Sequence, residues 1–318
     1  KMIYPDGEEV IYDYDFGGNL IKVTGEMYTV PYDFVSNIQY DHFEQKVLCE
    51  YGNGTSTTYA YQPALRRLSN QKAVAGDGLT TFMDNTYTYD KIGNVSSLVN
   101  NGSILNGLGG SYQHNYTYDK LYRLHDADGI WNDGAISNTA EYNLNVMEYD
   151  DMHRITRKHQ NASKNGNPLN AHSYDRSYHY NNIDHPRSLS QITFGSSVLD
   201  FTYDSKGNML TQQLTEGGSV SNHRDVLWDE RNLMKGIVVD GYNAQHYLYD
   251  VSGNRILKAR GNIIEVNVDG VSQKEMTLYQ YSIHPSGYLT ISENYVYSKH
   301  YYVGSERVLS RIVGPAFS

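Results

Sequence analysis

A single cysteine, Cys49, stands among 318 residues, so no intramolecular disulfide framework holds this chain together. The lone thiol says little about compartment. Cations are also scarce: 26 Lys and Arg against 36 Asp and Glu leave a net charge of -10. That balance argues against a nucleic-acid backbone as partner, because phosphate binding relies on clustered Lys and Arg. Its main effect is on solubility. No apolar run approaches the length of a membrane-spanning helix, and no charged-then-apolar leader follows Lys1. The chain therefore reads as a piece of a larger polypeptide with no membrane span. Signatures of chemistry are missing too. The 12 histidines form no His-Glu-x-x-His pair and no Cys-His cluster of zinc spacing, and there is no phosphate loop and no Gly-x-Ser-x-Gly elbow. Catalytic, cofactor-binding and metal-binding residues are accordingly assigned as none. Phenylalanine numbers only 7, whereas tyrosine numbers 31. A mean hydropathy of -0.61 is too polar for a thick sandwich core, yet an aromatic content of 13% is too high for disorder. Tyrosine suits a single-layered sheet, since each ring buries an apolar face while its hydroxyl stays in water or finds a partner.

What is present is a repeat. Tyr87-Thr88-Tyr89-Asp90-Lys91-Ile92-Gly93-Asn94-Val95 reads as one hairpin. Tyr87 and Tyr89 lie two apart and so share a face of a strand. Asp90 can accept a hydrogen bond from the backbone two residues on, Lys91 and Ile92 fill a type I turn, and Gly93 supplies the left-handed residue closing a three-residue loop. Copies align on Tyr14-Asp15, Tyr32-Asp33, Tyr40-Asp41, Tyr118-Asp119, Tyr149-Asp150, Tyr203-Asp204, Trp228-Asp229 and Tyr249-Asp250, with Tyr61-Gln62 and Tyr180-Asn181 as worn versions. Gly18, Gly207, Gly253 or Asn232 takes the place of Gly93, whereas Tyr122, His153, Ser36 and Glu44 stand where glycine is expected. From Tyr40 to Tyr249 the anchors recur every 21 to 31 residues, the range of a supersecondary unit that builds a solenoid, propeller or wrapped sheet. The paired aromatics are expected on one face, touching aromatics of adjacent repeats.

The phrase Tyr-x-Tyr-Asp-x-x-Gly-Asn/Arg-Leu resembles the repeat of the Rhs or YD-repeat proteins, and the resemblance covers essentially the whole chain. Tyr51-Gly52-Asn53-Gly54 with Thr57-Thr58-Tyr59, and the closing His300-Tyr301-Tyr302-Val303-Gly304, resemble other phrases of that family. The resemblance implies an all-β fold: a continuous spiralling sheet of tandem hairpins, a curved partial shell, with residues 1–318 as one array. It also implies a non-enzymatic, secreted or cell-surface protein whose repeats enclose a toxin domain of the same polypeptide. The alternative it leaves open is an adhesion module that binds cell-surface glycans. The core segment and self-cleavage motif of the toxin-bearing members are not found in these residues.

Several stretches depart from the repeat. Asn53-Gly54 reads as a primed-turn hairpin. Residues 99–113, which include Gly102, read as a loop at the sheet margin, and residues 159–173 as a polar insertion. Residues 181–187 lengthen one turn, and Pro186 prevents ladder pairing there. Asp126 to Gly134 gathers carboxylates, but a calcium loop wants glycine sixth and Glu twelfth, and here Gly129 comes fourth and Ser137 twelfth. It reads as a polar turn. The repeated Asp could supply the carboxylate pairs of a glycosidase, yet a residue present in nearly every copy is explained by the turn it closes. Asp269-Gly270 reads as a turn between the last long strands.

Overall fold

The computed structural model describes residues 1–104, 109–134, 138–268, 271–293 and 296–314. Asp269-Gly270, Ser137 and part of the 99–113 stretch fall outside them. Aromatic and β-branched residues alternating with polar ones every two positions specify strands, and among the described residues no α-helix interrupts them.

Two compact units result, Lys1–Glu148 with Lys158–Tyr174, and Tyr149–Arg157 with Asp175–Ser318. In the first, β1 (Met2–Ile3), β2 (Glu9–Tyr14), β3 (Leu20–Met27), β4 (Val30–Tyr40), β5 (Lys46–Tyr51) and β6 (Ser56–Tyr61) lead into β7 (Leu68–Val74), β8 (Thr81–Tyr89), β9 (Val95–Asn100), β10 (Ser111–Tyr118), β11 (Leu124–Asn132) and β12 (Thr139–Tyr149). Each pairs antiparallel with the next. Strand β13 (Ile155–Lys164) pairs with the short β14 (Asn167–Pro168). The second unit repeats the meander through β15 (Tyr174–His179), β16 (Gln191–Phe194), β17 (Ser197–Tyr203), β18 (Met209–Glu216), β19 (Ser219–Trp228), β20 (Met234–Val239), β21 (Asn243–Tyr249), β22 (Arg255–Val268), β23 (Val271–Ser286), β24 (Leu289–Ser292), β25 (Tyr297–Val303) and β26 (Glu306–Val313). This is the all-β array of tandem hairpins that the repeat specifies. Most strand residues are half-buried, and the fully buried ones, such as Val10, Val23, Val35 and Ile38 in the first unit and Ala259 in the second, are few.

The turns take the expected form. Gly93 N–H donates to the Asp90 carbonyl at 3.3 Å and Asp90 N–H to the Asn94 carbonyl at 2.9 Å, and the register slips by one residue between Thr88 and Tyr89. A type I turn followed by a left-handed bulge residue gives this pattern. Gly18, Gly93, Gly207 and Gly253 have φ of 87°, 108°, 86° and 84°, and Asn232 follows at 62°. Tyr122, His153 and Glu44 adopt φ of 63°, 63° and 62°, so the loop is imposed on residues that disfavour it. Tyr87 and Tyr89 are half-buried with an exposed Thr88 between them, and Tyr116, Thr117 and Tyr118 repeat the alternation.

Other expectations are corrected. Tyr32-Asp33 closes no turn: it lies inside β4, where Asp33 pairs with Lys22 at 2.9 Å and the Tyr32 hydroxyl donates to Glu8. The turn before it is made by Tyr28 and Thr29 at φ 51° and 66°, so Ser36 stands in a strand. Asn53-Gly54 forms no primed turn, because only Gly54 has positive φ and Tyr51 N–H bonds the Thr55 carbonyl, as in the repeat itself. Asp126 to Asn132 is strand rather than polar turn. Strands β9 and β10 enter both ends of the 99–113 stretch, and β13 and β14 occupy part of 159–173. Gly102 is buried, and a Cβ there would meet the Phe82 carbonyl oxygen at 2.7 Å.

Replacing Tyr122, whose ring is 62% exposed, with glycine is expected to raise stability by about 1 kcal/mol, since strain is relieved and little burial is lost. Gly93→Ala is expected to cost about 1–2 kcal/mol, and Gly287→Ala, with no atom within 4 Å of its Cβ, less than about 0.5 kcal/mol. Urea titrations of the three variants check the order.

Candidate functional site

The repeated turn concentrates this protein's polar chemistry. Asp90 Oδ1 accepts the backbone N–H groups of Ile92, Gly93 and Asn94 at 3.0, 2.7 and 2.9 Å, and Oδ2 accepts Asn94 Nδ2 at 2.9 Å. Asp204 and Asp250 repeat this with Asn208 and Asn254. Where the fourth residue on is arginine, its Nε replaces the amide: Arg123 reaches Asp119 Oδ2 at 2.7 Å and Arg154 reaches Asp150 Oδ2 at 2.6 Å. Asn and Arg are therefore interchangeable there because both present an N–H at one point. Backbone donation from Arg123, with the guanidinium in support, holds Asp119 below the usual carboxylate range. At Asp204 and Asp250 the leading cause is the asparagine amide, and at Asp90 these donors outweigh an upward pull from burial. A carboxylate fixed as an anion, with its oxygens committed to the turn, is poorly suited to acid or base work.

The aromatic of the pair forms a second contact, which the repeat pattern did not announce. Tyr118 Oη donates to the Val95 carbonyl of the preceding hairpin at 2.8 Å. The same latch joins Tyr40 to Leu20, Tyr61 to Lys46, Tyr89 to Leu68, Tyr180 to Ile155, Tyr203 to Leu189, Tyr249 to Met234 and Tyr302 to Gly287, at 2.6 to 3.0 Å. At the tryptophan copy, Trp228 Nε1 donates to the Met209 carbonyl at 2.8 Å. The acceptors share a position. Pairing between β9 and β10 stops at Ser97 and Asn115, two residues short of Val95, so that carbonyl has passed the end of the ladder. The β7–β8 ladder stops likewise at Asn70 and Thr86, short of Leu68. Strands of successive hairpins splay near the turn, and the side chain supplies the donor that the backbone no longer can.

Arginines add a third link between neighbouring turns. Arg231 Nη1 donates to the Asp250 carbonyl at 2.8 Å, Arg67 Nη1 to the Asp90 carbonyl at 3.4 Å, and Arg154 Nη1 to the Pro186 carbonyl. The Arg154 guanidinium also lies 4.3 Å from the centre of the Tyr180 ring. The expected packing of rings on rings between repeats is exceptional among the described residues. Tyr288 with Tyr302 at 5.3 Å and His114 with Tyr142 at 5.7 Å are instances. Hydroxyl on carbonyl does that work elsewhere.

The candidate calcium segment is spent on strand contacts. Asp126 Oδ2 accepts from Thr117 Oγ1 at 2.9 Å and lies 2.8 Å from His125 Nδ1, while Asp128 accepts from Asn115 Nδ2 at 2.8 Å. Beside it, β11 and β12 line a cleft on each face. The larger, about 730 Å³, has Asp128, Ile130, Glu141 and Asn143. The smaller, about 430 Å³, has His114, Trp131, Tyr142 and His172. His114 Nδ1 lies 3.0 Å from the Tyr142 hydroxyl, and burial pushes its pKa down.

An antiparallel meander closed by aspartate turns and latched through tyrosine defines an all-β protein of tandem hairpins. Comparisons with known proteins agree. No family model matches the chain. Toxin subunit YenC1 of Yersinia entomophaga is 25% identical over 250 residues, covering 70% of this chain and 24% of that protein. Toxin subunit YenC2 of the same organism is 24% identical over 245 residues, with the same coverage. The chain thus spans 24% of the length of these relatives. The crystal structure of TcdB2-TccC3-Cdc42 superposes with a TM-score of 0.55 at 15% identity, over 93% of this chain and 16% of the other. A Photorhabdus luminescens Tc holotoxin pore structure gives a TM-score of 0.55 at 15% identity, over 94% and 16%. Two toxin subunits are thus relatives of the chain at about a quarter identity, and the Tc structures share its fold.

Tyr118→Phe is expected to cost about 1 kcal/mol by orphaning the Val95 carbonyl, whereas Tyr122→Phe is expected to be neutral. Burial raises the folded pKa of Tyr118 and Tyr203 above 10.0, so their stabilising share is whole below about pH 10 and is lost as pH rises through the folded values. The turn aspartates are lowered from 3.8, so theirs is whole above about pH 4 and is lost as pH falls through the folded values. Melting temperature against pH is expected to fall at both ends, and Asp204→Asn to shallow the acid limb alone.

Proposed function

We propose that this chain is a stretch of wall in a hollow β-shell built by a larger exported polypeptide, and that residues 1–318 form one continuous repeat array within it. The wall is non-enzymatic and encloses or presents an effector domain of the same polypeptide. The observation that carries this is the latch, which joins each hairpin to the one before it through a side chain rather than a thick core. A sheet joined that way can be extended hairpin by hairpin and still leave both faces free, as a container wall requires. Similarity to toxin subunits and to Tc structures supports the same reading, as does the commitment of repeat carboxylates such as Asp90, Asp119, Asp204 and Asp250 to their own turns. Its partners in this reading are neighbouring repeats and the enclosed domain.

The intact polypeptide tests it under limited proteolysis. Its non-repeat domain is expected to resist protease while the wall is whole, and to become at least about tenfold more sensitive when Tyr89, Tyr118 and Tyr203 are changed together to Phe, a combined loss of about 3 kcal/mol. Equal cleavage of that domain in both proteins overturns the enclosure. Purified chain is expected to show no turnover of polysaccharide, ester or peptide substrates, and saturable turnover abolished by Asp204→Asn without unfolding overturns the non-enzymatic reading. Specific retention of the chain on a glycan array would transfer the assignment to surface adhesion.

A further inference from the structure

A cleft of about 590 Å³ in the second unit is lined by two arginines of an acidic protein. Arg66, Arg123, Arg154, Arg157 and Arg231 each pair with an aspartate. Arg255 and Arg307, which line this cleft, have no carboxylate partner among the described residues; Arg255 lies instead 5.6 Å from the Tyr247 ring centre. Between them runs a chain of polar side chains. His284 Nδ1 lies 3.3 Å from Thr290 Oγ1, which lies 3.0 Å from His300 Nε2, and His300 Nδ1 lies 2.9 Å from Ser310 Oγ. The other nitrogen of His284, Nε2, is buried and has no hydrogen-bond partner among the described residues. Burial and then the charges of Arg255 and Lys258 push the His284 pKa down, and burial, Arg307 and His284 do so at His300. Asp250 is the carboxylate in the lining, and its two oxygens are occupied by Ser252 and Asn254.

We infer that this cleft binds a small oxyanion of the phosphate or sulfate class, held by Arg255 and Arg307 and contacted by His284 Nε2. Guanidinium groups without carboxylate partners match the paired oxygens of such an anion. In the tautomer whose Nδ1–H donates to Thr290 Oγ1, neutral His284 presents a lone pair at Nε2. A proton taken from solvent turns that atom into a donor and removes its mismatch with the anion. Binding and protonation are thereby linked, and the anion raises the His284 pKa that burial, Arg255 and Lys258 depress. The cleft exceeds the volume of a bare ion, so the group can arrive free or as the end of a larger molecule.

Imidazole NMR signals of the whole chain, titrated with sodium sulfate, sodium phosphate and phenyl phosphate against sodium chloride of equal ionic strength, test the assignment. The His284 and His300 signals are expected to move saturably with the oxyanions and not with chloride. Tighter phenyl phosphate binding assigns a phosphate ester, and tighter inorganic phosphate a free ion. Sulfate, which remains a dianion throughout, is expected to bind more tightly at pH 6 than at pH 8. Arg307→Gln is expected to weaken binding about tenfold, the loss of one charged hydrogen bond, while Arg224→Gln on β19 leaves it unchanged. His284→Gln is expected to retain binding and lose its pH dependence, which separates the site from a folding defect; each variant is melted alongside. Shifts that follow chloride equally, or undiminished binding in folded Arg307→Gln, overturn the inference.

Discussion

One hydrogen bond carries the architecture: an aromatic donor at the tip of each repeat reaches the carbonyl that the splaying of two strands has left beyond the backbone ladder. Val95, Leu68 and Met209 present such carbonyls, and Tyr118, Tyr89 and Trp228 meet them. Without that donor, a buried acceptor would cost about 1–3 kcal/mol at every junction, as much as a good packing contact contributes. The same ring is half-buried at Tyr89 and Tyr118, so one residue both withdraws apolar surface from water and satisfies the backbone. A sheet with few fully buried side chains among the described residues depends on such dual use.

The turn aspartate makes the latch possible. By collecting three backbone N–H groups and one side-chain donor, Asp90 fixes the loop that aims Tyr89. The network is strong enough to hold Tyr122 and His153 in a backbone region that costs each of them roughly 1 kcal/mol. Sequence drift is therefore permitted at the loop residue and at the Asn or Arg that follows, provided that one N–H is still delivered to Oδ2. Geometry is inherited from donors rather than from residue identity.

This division of labour bears on function. Carboxylates that are numerous and regular would suggest chemistry if they were free, but here the turns consume them. The remaining individuality of the chain lies off the repeat, in the clefts beside β11 and β12 and in the arginine and histidine cluster that spans β22 to β26. A wall assembled from interchangeable hairpins can carry such local specialisation, since a change in one hairpin propagates little beyond its two neighbours.

Sequence by itself determined the strand content, the hairpin period, the left-handed residue of the loop and the role of the aspartate, because each is set within nine residues by local sterics and local hydrogen bonds. It also held an unread sign of the latch: Phe201 is tolerated two residues before an anchor, yet no anchor is phenylalanine, although a merely apolar role would accept it. The tertiary structure alone decided what depends on separation along the chain. Where inter-hairpin pairing stops, and hence which carbonyl needs a donor from 14 to 25 residues away, is fixed by strand register. The same reason placed Tyr32-Asp33 inside a strand: its local signature is that of a turn, but pairing with β3 had already been committed at Tyr28 and Thr29. Asp126 to Asn132 reads locally as polar turn, and only the partners offered by β10 and β12 draw it into the sheet.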